Sequence, residues 1–146
     1  MVLWRISPFH DLNGVGGMRF SARWNIAGTP MVYLADSAAS ALLETCVHTS
    51  ADRVPATYTL LKVIAPETLV EEVALSNLPQ DWVNQLPVTQ SLGAEWLKSG
   101  RSALLRVPSV LVPETWNVMF NPLHPDGALF RIERHYDYPF DLRLKN

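Results

Sequence analysis

Nine of the eleven prolines lie after residue 50. A proline fixes φ and removes a backbone donor, so it interrupts helices and central strands. That part of the chain is therefore expected to fold as short elements joined by fixed loops. One domain, spanning residues 1–146, is the natural count at this length, and a chain of this size buries about 68–70% of its unfolded surface without a disulfide or metal staple. The single cysteine, Cys46, excludes an intramolecular disulfide framework and fits a reducing compartment. It falls in an apolar helical pattern, where a small buried side chain is expected rather than a nucleophile.

Val2–Ile6 reads as a strand, followed by a turn-rich loop over Ser7–Gly17 whose glycines permit close backbone approach. Met18–Trp24 reads as semi-extended, Asn25–Pro30 as a turn and Met31–Ala35 as a second strand. Asp36 or Ser37 can cap a helix over Ser37–Thr49, with Ala39, Leu42, Leu43, Cys46 and Val47 as its apolar stripe. Thr57–Ala65 reads as a buried strand, and Thr68–Val73 is expected to pair with it. Pro79–Gln85 and Val88–Lys98 read as helices, the second stopped at Ser99-Gly100. Ala103–Val107, Val110–Val112 and Ala128–His135 read as strands, with turns at Asn121-Pro122 and Pro125-Asp126-Gly127. These elements make a single α+β domain with a split, mostly antiparallel sheet.

Composition narrows the function. Twelve Lys+Arg against fourteen Asp+Glu leave a formal charge of −2, which argues against a nucleic-acid coat protein with its large basic excess. The charged fraction of 18% is below the roughly 25% of ordinary soluble domains. Nine of the twelve cations are Arg, a residue suited to phosphate or carboxylate recognition. Arg5, Arg19 and Arg23 face a single acid, Asp11, before Ala35, so an anionic small ligand is expected. The longest stretch free of charged residues, Trp82–Ala94, is 13 residues long, too short to span a bilayer. Arg5 and His10 interrupt the apolar core that a secretory signal would need, so a cytoplasmic protein is expected.

The four histidines are dispersed and no paired-cysteine motif is present, so no metal site is expected. Gly14-Val15-Gly16-Gly17 has the wrong spacing for a dinucleotide-fold fingerprint. A polar constellation remains around the first long helix. Glu44 borders its apolar stripe, with His48 one turn later; a solvated Glu44–His48 pair is the plainer reading. Arg23 stands in an aromatic and amide cluster with Trp24 and Asn25, where stacking on Trp24 is the structural alternative. Tyr33 falls on the opposite strand face from Val32 and Leu34, as a core tyrosine also would. Ser109 and Asn121 beside prolines would ordinarily be turn residues.

The order Leu3-Trp4-Arg5-Ile6-Ser7, Arg23-Trp24-Asn25 with Gly28-Thr29-Pro30, Val32-Tyr33, and Ala41-Leu42-Leu43-Glu44 with Val47-His48 closely resembles the RES domain family. Val107-Pro108-Ser109, Val112-Pro113 and Asn121-Pro122 through His124-Pro125-Asp126 resemble its second half. The family takes its name from an Arg, a Glu and a Ser, which map to Arg23, Glu44 and Ser109; Ala22 stands where members commonly carry glycine. The resemblance implies a fold similar to ADP-ribosyltransferases and the toxin of a bacterial toxin–antitoxin pair. Such a toxin consumes NAD+ as substrate, needs no further cofactor, and is held in a hetero-oligomer by a helix-turn-helix antitoxin. It further implies Glu44 as the carboxylate at the ribose, Arg23 and Arg5 at the pyrophosphate, and Tyr33 on the nicotinamide. Ser109, His48 and Asn121 would be orienting groups. Two other functions fit the same residues. One is ADP-ribosyl transfer to a protein or RNA; the other is a non-enzymatic binding module presenting Trp4, Trp24, Trp82, Trp96 and Trp116 to a partner.

Overall fold

A computed structural model describes residues 1–145. Seven strands form one sheet in the order β4-β5-β6-β2-β1-β3-β7. They are β1 (Val2–Ile6), β2 (Val32–Ala35), β3 (Thr57–Ile64), β4 (Val70–Glu72), β5 (Leu104–Pro108), β6 (Trp116–Phe120) and β7 (Arg131–Pro139). The helices are α1 (Val15–Arg19), α2 (Ala38–His48) and α3 (Leu86–Ser99). Every neighbouring strand pair is antiparallel except β4–β5, which is parallel. Among the described residues no helix is long and apolar enough to cross a membrane.

The sheet is continuous but almost divided. β1 pairs with β3 over five residues, whereas its ladder with β2 consists of Trp4↔Ala35 alone. Past that pair the two strands part, leaving a cleft between a β4-β5-β6-β2 half and a β1-β3-β7 half. Period-two alternation sorts the side chains into two cores. Leu3, Val32, Leu34, Val63, Leu104, Val118 and Phe120 form one, with Phe130 stacked on Phe120 at 4.1 Å. Trp24, Met31, Trp82, Trp96, Leu105, Val107 and Met119 form the other, with Tyr33 against it. Cys46 is buried and free, as its place in the helical pattern leads one to expect.

The helices form for local reasons. Ser37 caps α2, its Oγ accepting from the Ser40 N–H at 3.0 Å, and so satisfies a donor that the first turn leaves free. Pro87 near the start of α3 and left-handed Gly100 after its end bound that helix. The buried face of α2 is rotated from the expected stripe. Ala41 and Cys46 are buried, while Ala39, Leu43 and Val47 are exposed, because the smallest residues, not the largest, allow the helix onto the sheet.

Several other expectations are corrected. The Thr68–Val73 segment yields β4, which lies beside β5 at the far edge, not beside β3. There Val70 packs against the first core, Glu71 meets Arg101 at 2.9 Å and Glu72 meets Arg106 at 3.1 Å. Pro79–Gln85 forms only a 3-10 turn, Trp82–Asn84. Val110–Val112 is not a strand; the strand comes later, at Trp116–Phe120, where the sequence reading assigns no element. Val15–Arg19 is a single helical turn instead of loop and extended chain. Gly14 before it has φ 75°, and a Cβ there would lie 2.7 Å from the Met31 nitrogen. The close approach expected of the glycine loop is thus made to the start of β2.

Candidate functional site

The parting of β1 from β2 opens a cavity of about 770 Å³, within the roughly 300–1,000 Å³ typical of small-molecule sites. Trp4, Arg5 and Ile6 line it from β1, and Tyr33, Leu34 and Ala35 from β2. α2 adds Ala41, Glu44, Thr45, Val47 and His48, and the segment after α1 adds Phe20 through Asn25. The cavity therefore gathers Arg5, Arg23, Tyr33, Glu44 and His48, five of the seven residues singled out from sequence.

Arg23 is presented by a turn anchored on three sides. Thr89 Oγ1 donates to the Arg23 carbonyl at 2.6 Å, and Gln90 Nε2 donates to the Ala22 carbonyl at 3.0 Å. The Trp24 N–H donates to the Tyr33 hydroxyl at 3.0 Å, and that hydroxyl donates onward to Asn25 Oδ1 at 2.7 Å. Asn25 Nδ2 closes the loop by donating to the carbonyls of Gly17 and Phe20 at 3.3 and 3.0 Å. The Arg23 guanidinium donates to the Val83 carbonyl at 2.9 Å and lies 5.9 Å from the centroid of Trp82. Its stacking partner is thus Trp82, not the adjacent Trp24.

Burial pushes the Tyr33 hydroxyl up to about 12, against the opposing pull of the Trp24 N–H and the nearby Arg23 charge. Tyr33 is consequently a neutral group whose proton is already committed to Asn25. Arg5 donates to the Asp11 carbonyl at 2.9 Å. Burial lowers its pKa, with the Asp11 charge opposing; an arginine this far up the scale keeps its charge. On α2, Glu44 Oε1 accepts from Asn117 Nδ2 at 2.8 Å. His48 Nε2 is 3.9 Å from Glu44 Oε2, and the two side chains are 79% and 31% exposed. The Glu44–His48 pair is thus real but loose, and Glu44 has a firmer partner on β6.

Ser109 and Asn121 are not on the cavity wall, although Pro108 and Val110 beside Ser109 are. Ser109 Oγ accepts from the N–H groups of Leu111 and Val112 at 3.0 and 3.3 Å, shaping the turn that replaces the expected strand. Asn121 is buried and its Oδ1 accepts from the Leu123 N–H at 3.0 Å. Both side chains satisfy local backbone donors, as residues beside proline in a turn commonly do. Two wall residues, Asn117 and Asn25, escape the sequence reading as site residues. Asn25 stands in the quoted Arg23-Trp24-Asn25 motif, whereas Asn117 carries no signal until β6 is known to exist.

No cluster of three or more His, Cys, Asp or Glu suited to a metal occurs among the described residues. The charged groups on the wall are the cations of Arg5 and Arg23 and the carboxylate of Glu44, with the His48 imidazole beside it. This set suits an anionic substrate that develops positive charge in reaction. The aromatic-surface reading fails on burial. Trp24, Trp82 and Trp96 are core residues, so no exposed face of five tryptophans exists.

Over 146 residues the chain is 42% identical to a protein named Toxin Res from Pseudomonas putida strain KT2440, covering 99% of each. It is 36% identical over 139 residues to the Prs ADP-ribosylating toxin of Sphingobium sp. strain YBL2, covering 92% of this chain and 86% of that protein. The toxin–antitoxin complex MbcT–MbcA of M. tuberculosis contains a chain of the same fold, with TM-score 0.77 at 19% identity, covering 99% of this chain and 86% of that one. Residues 2–141 match the RES domain, and with every residue that lines the cleft falling inside that span, the chain belongs to the RES domain family.

Proposed function

We propose that the chain is the toxin of a toxin–antitoxin pair and that its cleft breaks the nicotinamide–ribose bond of NAD+. The observation that carries this reading is the meeting of Glu44, Arg5 and Arg23 on the wall of one cavity at the parting of the sheet. The names of the curated relatives support the toxin role, and the MbcT–MbcA complex supports a protein antitoxin as partner. A helix-turn-helix antitoxin and a cytoplasmic site of action, where NAD+ is abundant, complete the proposal.

In this reading the bond from C1′ to the pyridinium nitrogen breaks and its electron pair goes to the ring, giving neutral nicotinamide. The ribose becomes oxocarbenium-like, the charge problem that glycoside hydrolysis also meets. Glu44 stabilises that cation and orients the 2′-hydroxyl. The leaving ring is already cationic, so no general acid is needed on its side. Water or phosphate then attacks C1′, and a proton from the attacking water passes to solvent. Arg5 and Arg23 hold the pyrophosphate through charge-assisted hydrogen bonds, and Tyr33 offers its ring as a face for nicotinamide. His48 contributes an orienting hydrogen bond from α2. Ser109 and Asn121 act from outside the wall by fixing the turns that flank β6.

Transfer of the ADP-ribosyl group to a macromolecule is a second reading, favoured by the name of the Sphingobium relative. The test is incubation of purified protein with NAD+, with and without phosphate or cell lysate, followed by mass analysis of products. Free ADP-ribose or its phosphate ester with nicotinamide is expected, and modified protein or RNA would mark the transferase. Glu44→Gln should retain the fold and lose about 10²-fold or more in turnover, the scale of removing a preorganised electrostatic group. Nicotinamide release at the unaltered rate in that variant would remove Glu44 from the chemistry.

A further inference from the structure

Glu44 sits on a helix, and its side chain reaches the cavity through three rotatable bonds. Such a side chain has considerable rotamer freedom to lose before its carboxylate is fixed. His48, four residues on, is largely solvent-exposed and 3.9 Å away, outside hydrogen-bonding range. The firm contact comes from across the cleft. Asn117 is the second residue of β6, paired with Ala35 of β2 on one side and Val107 of β5 on the other. Its backbone is therefore fixed by two ladders, and its Nδ2 donates to Glu44 Oε1 at 2.8 Å. A carboxylate only accepts, so the amide must turn its NH2 to Glu44. The hydrogen bond is charge-assisted and stronger than a neutral one.

We infer that Asn117 is the positioning residue for Glu44, holding Oε1 from β6 so that Oε2 is presented to the substrate ribose. A neutral amide neither takes nor gives a proton at working pH, so Asn117 acts through Glu44 and not on the substrate's bonds. The inference rests on the NAD+ reading for its consequence, while the contact itself is independent of any substrate. Because β6 also borders β2, the same strand that sets Glu44 sets the wall on which Tyr33 stands.

The experiment has one arm without substrate and one with it. In the free protein, the Asn117 side-chain amide resonance, identified by its absence in Asn117→Ser, should lie downfield and move upfield in Glu44→Ala. No movement would show that the contact is not made in solution and would overturn the inference whatever the protein does to NAD+. In kinetics, Asn117→Asp keeps the shape, removes the donor and sets a second carboxylate against Glu44; Asn117→Ala only removes the donor. Asn117→Asp should lose about 10²-fold in kcat, the scale of an approximately 1 Å misplacement, with KM little changed and with a greater loss than in Asn117→Ala. A merely structural asparagine gives the opposite order, because the isosteric variant is then the milder one, and that order would overturn the inference. Wild-type protein inert towards NAD+ would instead refute the proposed function, and the resonance arm would still decide the Glu44–Asn117 contact.

Discussion

At the scale of single residues, Arg5, Arg23, Tyr33 and Glu44 are each held in the cleft by a partner outside their own element, and His48 is not. Tyr33 is the clearest case, since its hydroxyl accepts from the Trp24 N–H and donates to Asn25 Oδ1. Tyr33→Phe leaves both groups without that partner, and a loss of about 1–3 kcal/mol in urea unfolding is expected. Alkaline pH provides a second signature. The folded state holds the Tyr33 proton up to about 12, whereas the unfolded chain releases it near 10. The stability from this group is therefore complete below about pH 10 and is lost as pH rises towards 12. The phenylalanine variant should lack that part of the alkaline decline, and an identical decline in both proteins would exclude Tyr33 as its source. Residues of this kind were legible where a strong local pattern carried them. Arg23, Tyr33, Glu44 and His48 stand in or beside a well-marked strand and helix. Asn117 was hidden because its meaning depends on a strand pairing, and Ser109 and Asn121 were read through the resemblance while their local chemistry is that of turns.

At the scale of elements, α3 positions Arg23 without contributing a charge to the cleft wall. Thr89 and Gln90 hold the carbonyls of Arg23 and Ala22, and Gly93 lets the helix touch the Trp24 carbonyl. A Cβ at Gly93 would fall 1.6 Å from that oxygen. Alanine is favoured over glycine within a helix by about 1 kcal/mol, yet Gly93→Ala is expected to lose about 1–3 kcal/mol overall through overpacking. NAD+ binding should weaken with it as the Arg23 turn is displaced. Denaturant unfolding and titration calorimetry check both effects; a stabilised variant would mean that the helix and turn separate without cost. The helix itself was readable from its pattern and its glycine stop, as were α2, β1, β2, β3 and β5. β6 was not, although Trp116, Val118 and Phe120 favour strands, because a five-residue segment between Pro113 and Pro122 is too short for its alternation to stand out from a loop. The place of β4 was unreadable for another reason: the partners of its acids, Arg101 and Arg106, lie thirty and thirty-four residues away.

At the scale of the whole molecule, the near-division of the sheet is the feature from which the cleft follows. Only Trp4↔Ala35 joins β1 to β2, so a ligand seated between them bridges the two halves. Glu44→Gln protein saturated with NAD+ should show slowed amide exchange at Arg5, Ile6, Tyr33 and Leu34. Its thermal midpoint should rise, a ligand at 100 times its Kd adding about 2.7 kcal/mol. A raised midpoint with unchanged exchange at those four amides would place the ligand elsewhere. A split sheet was expected from the mixture of elements and from the family resemblance, but where it splits was not, since that depends on a ladder that stops after one pair.

The strand order also has a consequence in time. β6, built from Trp116–Phe120, is inserted between β2 and β5, so the last third of the chain completes the middle of the sheet. A nascent polypeptide leaving the ribosome exposes Arg5, Arg23, Tyr33, Glu44 and His48 long before β6 has been synthesised. Until then neither the far wall nor the Asn117 amide exists, and the assembled cleft waits on the synthesis of Trp116–Phe120.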